Sequence, residues 1–343
     1  MAQTLRAQQL PAFLKRAAAL PGLFVLTGDE PLLQIEAADG IRAAAHARGH
    51  TERLSLVLDA RSDWSQLLAE TQSISLFGDR KLLDIKLPSG KPGKTGGEAL
   101  QKLAQQLPPE ADDLVAVLTL PRLDRATRNS AWMSALAEHG VVVEIPTIDR
   151  PALPGWISER LARQEQQADP DLLQWLADRV EGNLLAAHQE IQKLALLCPA
   201  GKLNPEAVHE AVMNVARYDV FKLRDAMLQG DAARVVRMID GLKAEGEALP
   251  LLLWAIGEEI RVLARLAALK AQGQAITPLF KKLRIFGQHE QYAHDALQRL
   301  PPKAWAAALH HAHEVDKLIK GLRVAGRLPD AWHELTRLAL RLC

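Results

Sequence analysis

The sequence predicts an α/β unit followed by an all-α region. Three observations carry that prediction. Up to about residue 146, short apolar runs rich in β-formers alternate with helical stretches, the pattern of a mostly parallel sheet covered on both faces. Beyond Pro146 only helical periodicity is found, punctuated by prolines. The composition, 48% hydrophobic and 24% charged, is that of a chain able to bury real cores. At roughly 150 residues per domain, the 343 residues divide into two or three domains.

Taken in order, residues 1–20 read as a helix with a weak apolar stripe of Leu10, Phe13, Leu14 and Ala17, broken by Pro21-Gly22. Leu23-Phe24-Val25-Leu26 is a buried strand bounded by glycines. Thr27-Gly28-Asp29-Glu30-Pro31 turns, with Asp29 expected to cap a helix whose first turn holds Pro31. Leu33, Ala37, Ile41 and Ala44 fall on one face of that helix. Arg53–Leu58, Lys81–Leu87, Leu114–Leu120 and Val141–Ile145 follow as strands, and Asp63–Thr71, Glu98–Leu107 and Ala126–His139 as helices. Pro151 and Pro154 mark a linker. The Asp-Pro and Asn-Pro pairs at 169–170 and 204–205 look like helix starts. The expected domains are 1–146 (α/β), 147–215 (a small unit of four helices) and 216–343 (a helical bundle).

Several classes are excluded. Lys and Arg number 42 against 41 Asp and Glu, a formal charge of +1, so no global basic bias supports nucleic-acid coating. The two cysteines, Cys198 and Cys343, form no Cys-x-x-Cys, which argues against a zinc ribbon or a disulfide scaffold, and Cys198 reads as a small core residue. The opening Met1-Ala-Gln-Thr-Leu-Arg has no apolar run after its charge, unlike a secretory leader. The longest apolar runs, such as Leu251–Ile256, fall far short of the roughly twenty residues that span a bilayer. A cytoplasmic chain is expected.

The order of an α/β layer, a small helical lid and a further helical domain resembles the AAA+ ATPase core with an added helical collar. Such a core needs Gly-x-x-x-x-Gly-Lys-Ser/Thr after its first strand, where backbone N–H groups and a lysine hold phosphate. Here the turn is Leu26-Thr27-Gly28-Asp29-Glu30-Pro31, with one glycine, no lysine and two repelling carboxylates. No acidic pair follows Leu114–Leu120, and Leu185 stands where a nucleotide-sensing arginine is expected. Pro88-Ser89-Gly90-Lys91-Pro92-Gly93-Lys94-Thr95 ends in Gly-Lys-Thr, and a P-loop ATPase using Gly93, Lys94 and Thr95 is the alternative reading. Its first required glycine, however, is Pro88, and Pro92 removes another donor. The resemblance therefore implies an ATPase shape without hydrolysis and without a bound cofactor.

Gln72-Ser73-Ile74-Ser75-Leu76-Phe77 sits at a helix-to-strand junction before Gly78. Leu76 and Phe77 either pack under the sheet or project together. In the second case each would contribute about 1.5–3 kcal/mol in a partner's pocket. Gln-x-hydrophobic-x-Leu-Phe looks like the peptide by which bacterial proteins bind the replicase sliding clamp. With Leu26–Leu33, Ser73–Phe77, Ala131–Leu136 and Glu181–Ala186 continuing to Lys193-Leu194, the whole chain resembles the family of delta subunits of bacterial DNA polymerase III clamp loaders. That resemblance implies a non-catalytic subunit of the polymerase holoenzyme that joins delta-prime and three tau/gamma ATPase subunits. It implies that the chain binds the beta sliding clamp through Leu76 and Phe77, with Ile74 and Gln72 flanking, and opens the ring for loading on primed DNA. It further implies a collar-forming C-terminal domain and a place in the cytoplasm at the nucleoid-associated replisome.

Other clusters are weaker. Lys281, Lys282 and Arg284 form one basic group, and Lys317, Lys320, Arg323 and Arg327 another that recurs at helical spacing. Both read as a solvated face, as DNA-phosphate contacts or as salt bridges to a collar neighbour. His310, His313 and Glu314 share one side of a helix, but no further ligand of matching geometry is evident, so no metal is expected. In His289-Glu290…His294 the second histidine comes one residue too late for a zinc protease helix. A generic helical scaffold is the remaining alternative.

Overall fold

The computed structural model describes residues 3–72, 80–111, 113–212, 218–283 and 285–343, the side chain of residue 72 excepted. The chain divides into two compact units, residues 1–173 with 184–203 and residues 174–183 with 204–343.

The first unit is built on a six-stranded, wholly parallel sheet of β1 (Gln3–Arg6), β2 (Leu23–Gly28), β3 (His50–Val57), β4 (Arg80–Lys86), β5 (Leu114–Leu120) and β6 (Val141–Ile145). They lie side by side in the order β1-β6-β2-β5-β4-β3. Side chains alternate across the sheet, and both faces are apolar. Leu23, Val25, Leu83, Ile85, Ala116 and Leu118 face α3 (Ser65–Gln72), α4 (Gly93–Gln106) and α6 (Ala131–His139). Phe24, Leu26, Leu82, Val115, Val117 and Val143 face α1 (Leu10–Arg16) and α2 (Pro31–His46). That two-sided burial is why β2 and β5 read as unbroken apolar runs. A short α5 (Arg125–Arg128) precedes α6.

The first twenty residues are not one helix. Gln3–Arg6 is an edge strand, with Leu5 in register with Val143 of β6, and the helix begins only at Leu10, with Pro11 in its first turn. Sheet pairing overrides a weak helical stripe. The expectation of no strands after Pro146 also fails. Between α7 (Leu153–Ala162) and α8 (Pro170–Val180) lies β7 (Gln166–Gln167). It pairs with β8 (Gly201–Lys202), which follows α9 (Leu184–Leu197). Two-residue strands leave no periodicity; this pair is held by the buried Gln166 amide, which donates to the Leu194 and Cys198 carbonyls.

The second unit holds α10 (Pro205–Ala211), α11 (Val220–Gln229), α12 (Ala232–Ala244), α13 (Leu249–Ala271), α14 (Thr277–Lys282), α15 (Gln288–Arg299), α16 (Pro302–Ile319) and α17 (Ala331–Leu340). Helices α11 to α17 share one core in which Trp305, Phe280, Leu252, Ile256, Leu263 and Leu335 are fully buried or nearly so. Buried ions cross this core. The His311 ring approaches Glu334 at 2.7 Å, and Glu334 also accepts from the Leu328 N–H and from Arg337. His289 sits between Asp225 (2.7 Å) and Glu259 (3.2 Å), and Arg234 meets Glu181 at 2.5 Å.

Candidate functional site

At the carboxyl edge of the sheet, β2 runs into the turn where a nucleotide cradle would form. The turn is closed by its own side chains. The Gln34 amide, one turn into α2, donates to the carbonyls of Gly28 (2.5 Å) and Leu120 (2.9 Å). The Thr27 hydroxyl donates to the Pro121 carbonyl. Asp29 is not the helix cap that its position suggested: its carboxylate accepts the Arg122 N–H at 2.8 Å. Glu30 caps α2 instead, accepting from the Leu32 N–H, and Pro31 fills the first helical position. A carboxylate thus stands at the helix N-terminus, where a phosphate would have to bind. A Cβ on Gly28 would lie 2.1 Å from the Ile145 carbonyl oxygen, so the strand crossing requires glycine. Sequence reading missed Gln34, since its two acceptors become neighbours only when β2 and β5 pair.

The Gly-Lys-Thr stretch is not a wide loop. Gly93, Lys94 and Thr95 are the first turn of α4, with Pro92 in the cap position. Ahead of them the Gly90 N–H donates to the Leu87 carbonyl and the Lys91 N–H to the Ser89 hydroxyl. Two backbone donors are committed to a tight turn, and Pro92 has none.

The residues singled out for partner binding are Ile74, Leu76 and Phe77, with Gln72. The first three lie outside the described residues, as does the side chain of Gln72. Their flanks are well fixed. Helix α3 ends at Gln72 and β4 begins at Arg80, the edge of the sheet where parallel strands start. Trp64, just before α3, is 1% exposed and donates to the Asp59 carbonyl. A Cβ on Gly96 of α4 would come within 2.4 Å of its ring. Lys81 bridges Glu52 of β3 and Glu70 of α3 at 3.5 and 3.6 Å.

In the helical unit, α16 stops at Ile319. The helical spacing read through Arg323 and Arg327 therefore does not hold; both residues are on the following loop. Arg327 turns inward onto Glu314 at 2.6 Å. Lys320 forms an exposed pair with Asp316, and Lys317 lies in the last turn of α16. Lys281 and Lys282 end α14, while residue 284 lies outside the described residues. His310 lies 3.4 Å from Glu314, but His311 points to the opposite side, into the core. Burial holds the His311 pKa below the ordinary histidine value, against the raising effect of Glu334. Among the described residues no three His, Cys, Asp or Glu gather as metal ligands.

A two-sided parallel sheet with its nucleotide turn sealed, together with an all-helical unit, gives the α/β plus all-α fold class expected from the sequence. The family model for DNA polymerase III, delta subunit, matches residues 24–146, and that for its C-terminal domain matches residues 217–328. DNA polymerase III subunit delta of Escherichia coli K12 is 32% identical over 327 residues, covering 94% of this chain and 92% of that one. The subunit of the same name from Haemophilus influenzae is 28% identical over 341 residues, covering 95% and 96%. The DNA clamp loader delta protein of Bacillus subtilis shares the fold, with a TM-score of 0.53 at 19% identity over 98% of this chain and 99% of that one. The chain belongs to the family of DNA polymerase III delta subunits. Among the described residues, no helix is long and apolar enough to cross a membrane.

Proposed function

We propose that this chain is the ring-opening subunit of its clamp loader. It binds the beta sliding clamp through Leu76 and Phe77, with Ile74 and Gln72 flanking, and favours the clamp with one interface sprung open. A ligand shifts an equilibrium only by its differential affinity for two states, so opening requires tighter binding to the open ring. The chain contributes binding energy and no chemistry. ATP is hydrolysed in the neighbouring tau/gamma subunits, with delta-prime completing a heteropentamer that seats the clamp on primed DNA. Residues 1–146 meet the clamp, 147–215 form the lid and 216–343 enter the collar. Lys317, Lys320 and Arg323 are assigned to DNA phosphate or to a collar neighbour, whereas Arg327 serves the fold. The chain works in the cytoplasm at the nucleoid-associated replisome.

The observation that carries this reading is the Gln72…Leu76-Phe77 pattern, in a chain matched to the delta family along almost its full length. The Glu30 cap and the Gln34 ties support the absence of hydrolysis. The test is capture of the organism's own beta clamp by the wild-type chain and by the double variant Leu76→Ala, Phe77→Ala. Losing two buried apolar anchors, at about 1.5–3 kcal/mol each, is expected to abolish capture while the circular dichroism melt stays unchanged. Equal capture by both chains would refute the assigned residues.

A further inference from the structure

Side chains of β4 alternate between the two faces of the sheet. Leu83 and Ile85 lie on the face covered by α3, α4 and α6. Lys81, two residues before Leu83, is on that face as well, at the amino end of the strand. On α3, Leu67 is fully buried in the same core, and Glu70 and Thr71, three and four residues further on, share its side of the helix. Both are tied. Glu70 meets Lys81 at 3.6 Å. The Thr71 hydroxyl lies 2.8 Å from the Leu68 carbonyl and 3.3 Å from the side-chain oxygen of Gln106 on α4. Glu52 of β3 approaches the same lysine at 3.5 Å.

An irregularity in β3 brings Glu52 there. His50 is in register with Arg80 and Glu52 with Lys81, so Thr51 is an extra residue. Unbroken pairing would set Thr51 opposite the lysine. Bulges are rare between parallel strands, and they re-aim side chains. This one sets a second carboxylate beside one ammonium, whose three donors can serve both. Arg80 is fastened too, its guanidinium donating to the Arg48 carbonyl at 2.9 Å.

These ties close a loop. Glu70 and Lys81 stand on either side of residues 71–80, which include Gln72, Ile74, Leu76 and Phe77. Bringing the ends of such a segment together costs conformational entropy, and a segment whose ends are already held loses less on binding. The side chain of Lys81 is 15% exposed, that of Glu70 32% and that of Glu52 44%. Ion pairs this open to water add little to overall stability, so their effect falls on the position of the segment rather than on the survival of the fold.

We propose that Lys81 is a positioning residue for clamp binding: by joining Glu70 to Glu52 it staples the base of the segment that carries Leu76 and Phe77. This rests on the clamp-binding reading above, and Lys81 acts through the segment, not on the clamp itself. The test is titration of the organism's beta clamp with full-length chains at low and at high salt. Lys81→Met keeps the long stem and removes the charge, whereas Lys81→Arg keeps the charge. The Met variant is expected to bind the clamp about fivefold more weakly at low salt, and the Arg variant to stay within about twofold of the wild type. At high salt the wild type should approach the Met variant, because screening removes what the charge supplies. Thermal melts of all three should coincide. Glu70→Gln, which leaves Lys81 on Glu52, should lose affinity in the same direction and keeps the test open if the Met variant folds poorly. Undiminished binding by both the Met and the Gln variants at low salt overturns the proposal. So does an Arg variant no better than the Met variant, or a loss of the same size at high salt. A chain with Leu76→Ala and Phe77→Ala separates the two levels. If it binds the clamp as the wild type does, the clamp-binding reading itself fails; if it alone loses binding, only the role of Lys81 is removed.

Discussion

The two units fix their helices by different means. In the first, helices lie on a sheet whose central strands are apolar on both faces; polar ties stand at strand ends, with Gln34, Thr27 and Asp29 at the carboxyl edge and Lys81 at the amino edge, and one buried carboxylate, Asp84 of β4, is held by Arg42 and Arg53. In the second there is no sheet to set the register. Helices pack on helices, and the core admits ions: Glu334 with His311 and Arg337, His289 with Asp225 and Glu259. A sheet specifies position by backbone pairing, whereas a bundle of similar apolar faces gains a unique arrangement when a buried charge tolerates only one partner.

The largest expected effect tests that difference directly. Glu334 is fully buried, and Glu334→Ala leaves His311 and Arg337 without their carboxylate and Arg327 with Glu314 alone. Removing one member of a buried ionic network is expected to destabilise the helical unit by about 3–5 kcal/mol. Urea unfolding followed by amide exchange in α16 and α17 would measure it; a loss no larger than that of an exposed ion pair would break the comparison. Next comes Gly96→Ala in the sheet unit. The added methyl meets the Trp64 ring, and overpacking is expected to cost about 1–3 kcal/mol, read from the tryptophan fluorescence transition.

The third test is one of pH. Hydrogen bonds from its ring to Asp225 and then Glu259 raise the His289 pKa to about 9. A raised histidine pKa stabilises the fold fully below the unfolded value of about 6.5, and that stability is lost as pH climbs through the folded value. The helical unit should therefore lose about 2 kcal/mol between pH 6.5 and pH 9, and His289→Gln should flatten that slope in melts taken across the range. The smallest effect is a gain. Glu165 has a φ of 60°, in the left-handed region that disfavours a side chain with a Cβ. Glu165→Gly should stabilise the sheet unit by up to about 1 kcal/mol, and a lower melting temperature would show that Glu165 is held there by more than its backbone.

The same contrast explains what could be read from the sequence. Strands β5 and β6 emerge with the boundaries expected, because seven and five consecutive residues dominated by Val, Leu and Ile announce a strand buried on both faces. Strand β1 does not, since Gln3-Thr4-Leu5-Arg6 is an edge strand with one apolar residue and its partner lies beyond residue 140. The start of α4 was hidden by glycine. Gly93, Gly96 and Gly97 read as loop, whereas Gly96 is helical so that Trp64 can lie against it. Asp29 and Glu30 both suit a cap, and only the neighbouring Arg122 amide decides between them. The ion pairs of the bundle were invisible for a related reason: His311 and Glu334 are 23 residues apart, and two helices must rotate correctly before they meet. The Gln72…Leu76-Phe77 pattern was noticed through its resemblance to a short linear peptide, and its role remains the proposal above, since Ile74, Leu76 and Phe77 lie outside the described residues.

The cross-tied turn at Thr27–Pro31 has a mechanical corollary. A loop that takes its shape from its own amide and carboxylate groups needs no bound phosphate to hold it. On the function proposed above, the unit built on it acts as a fixed arm whose timing is set by partner subunits.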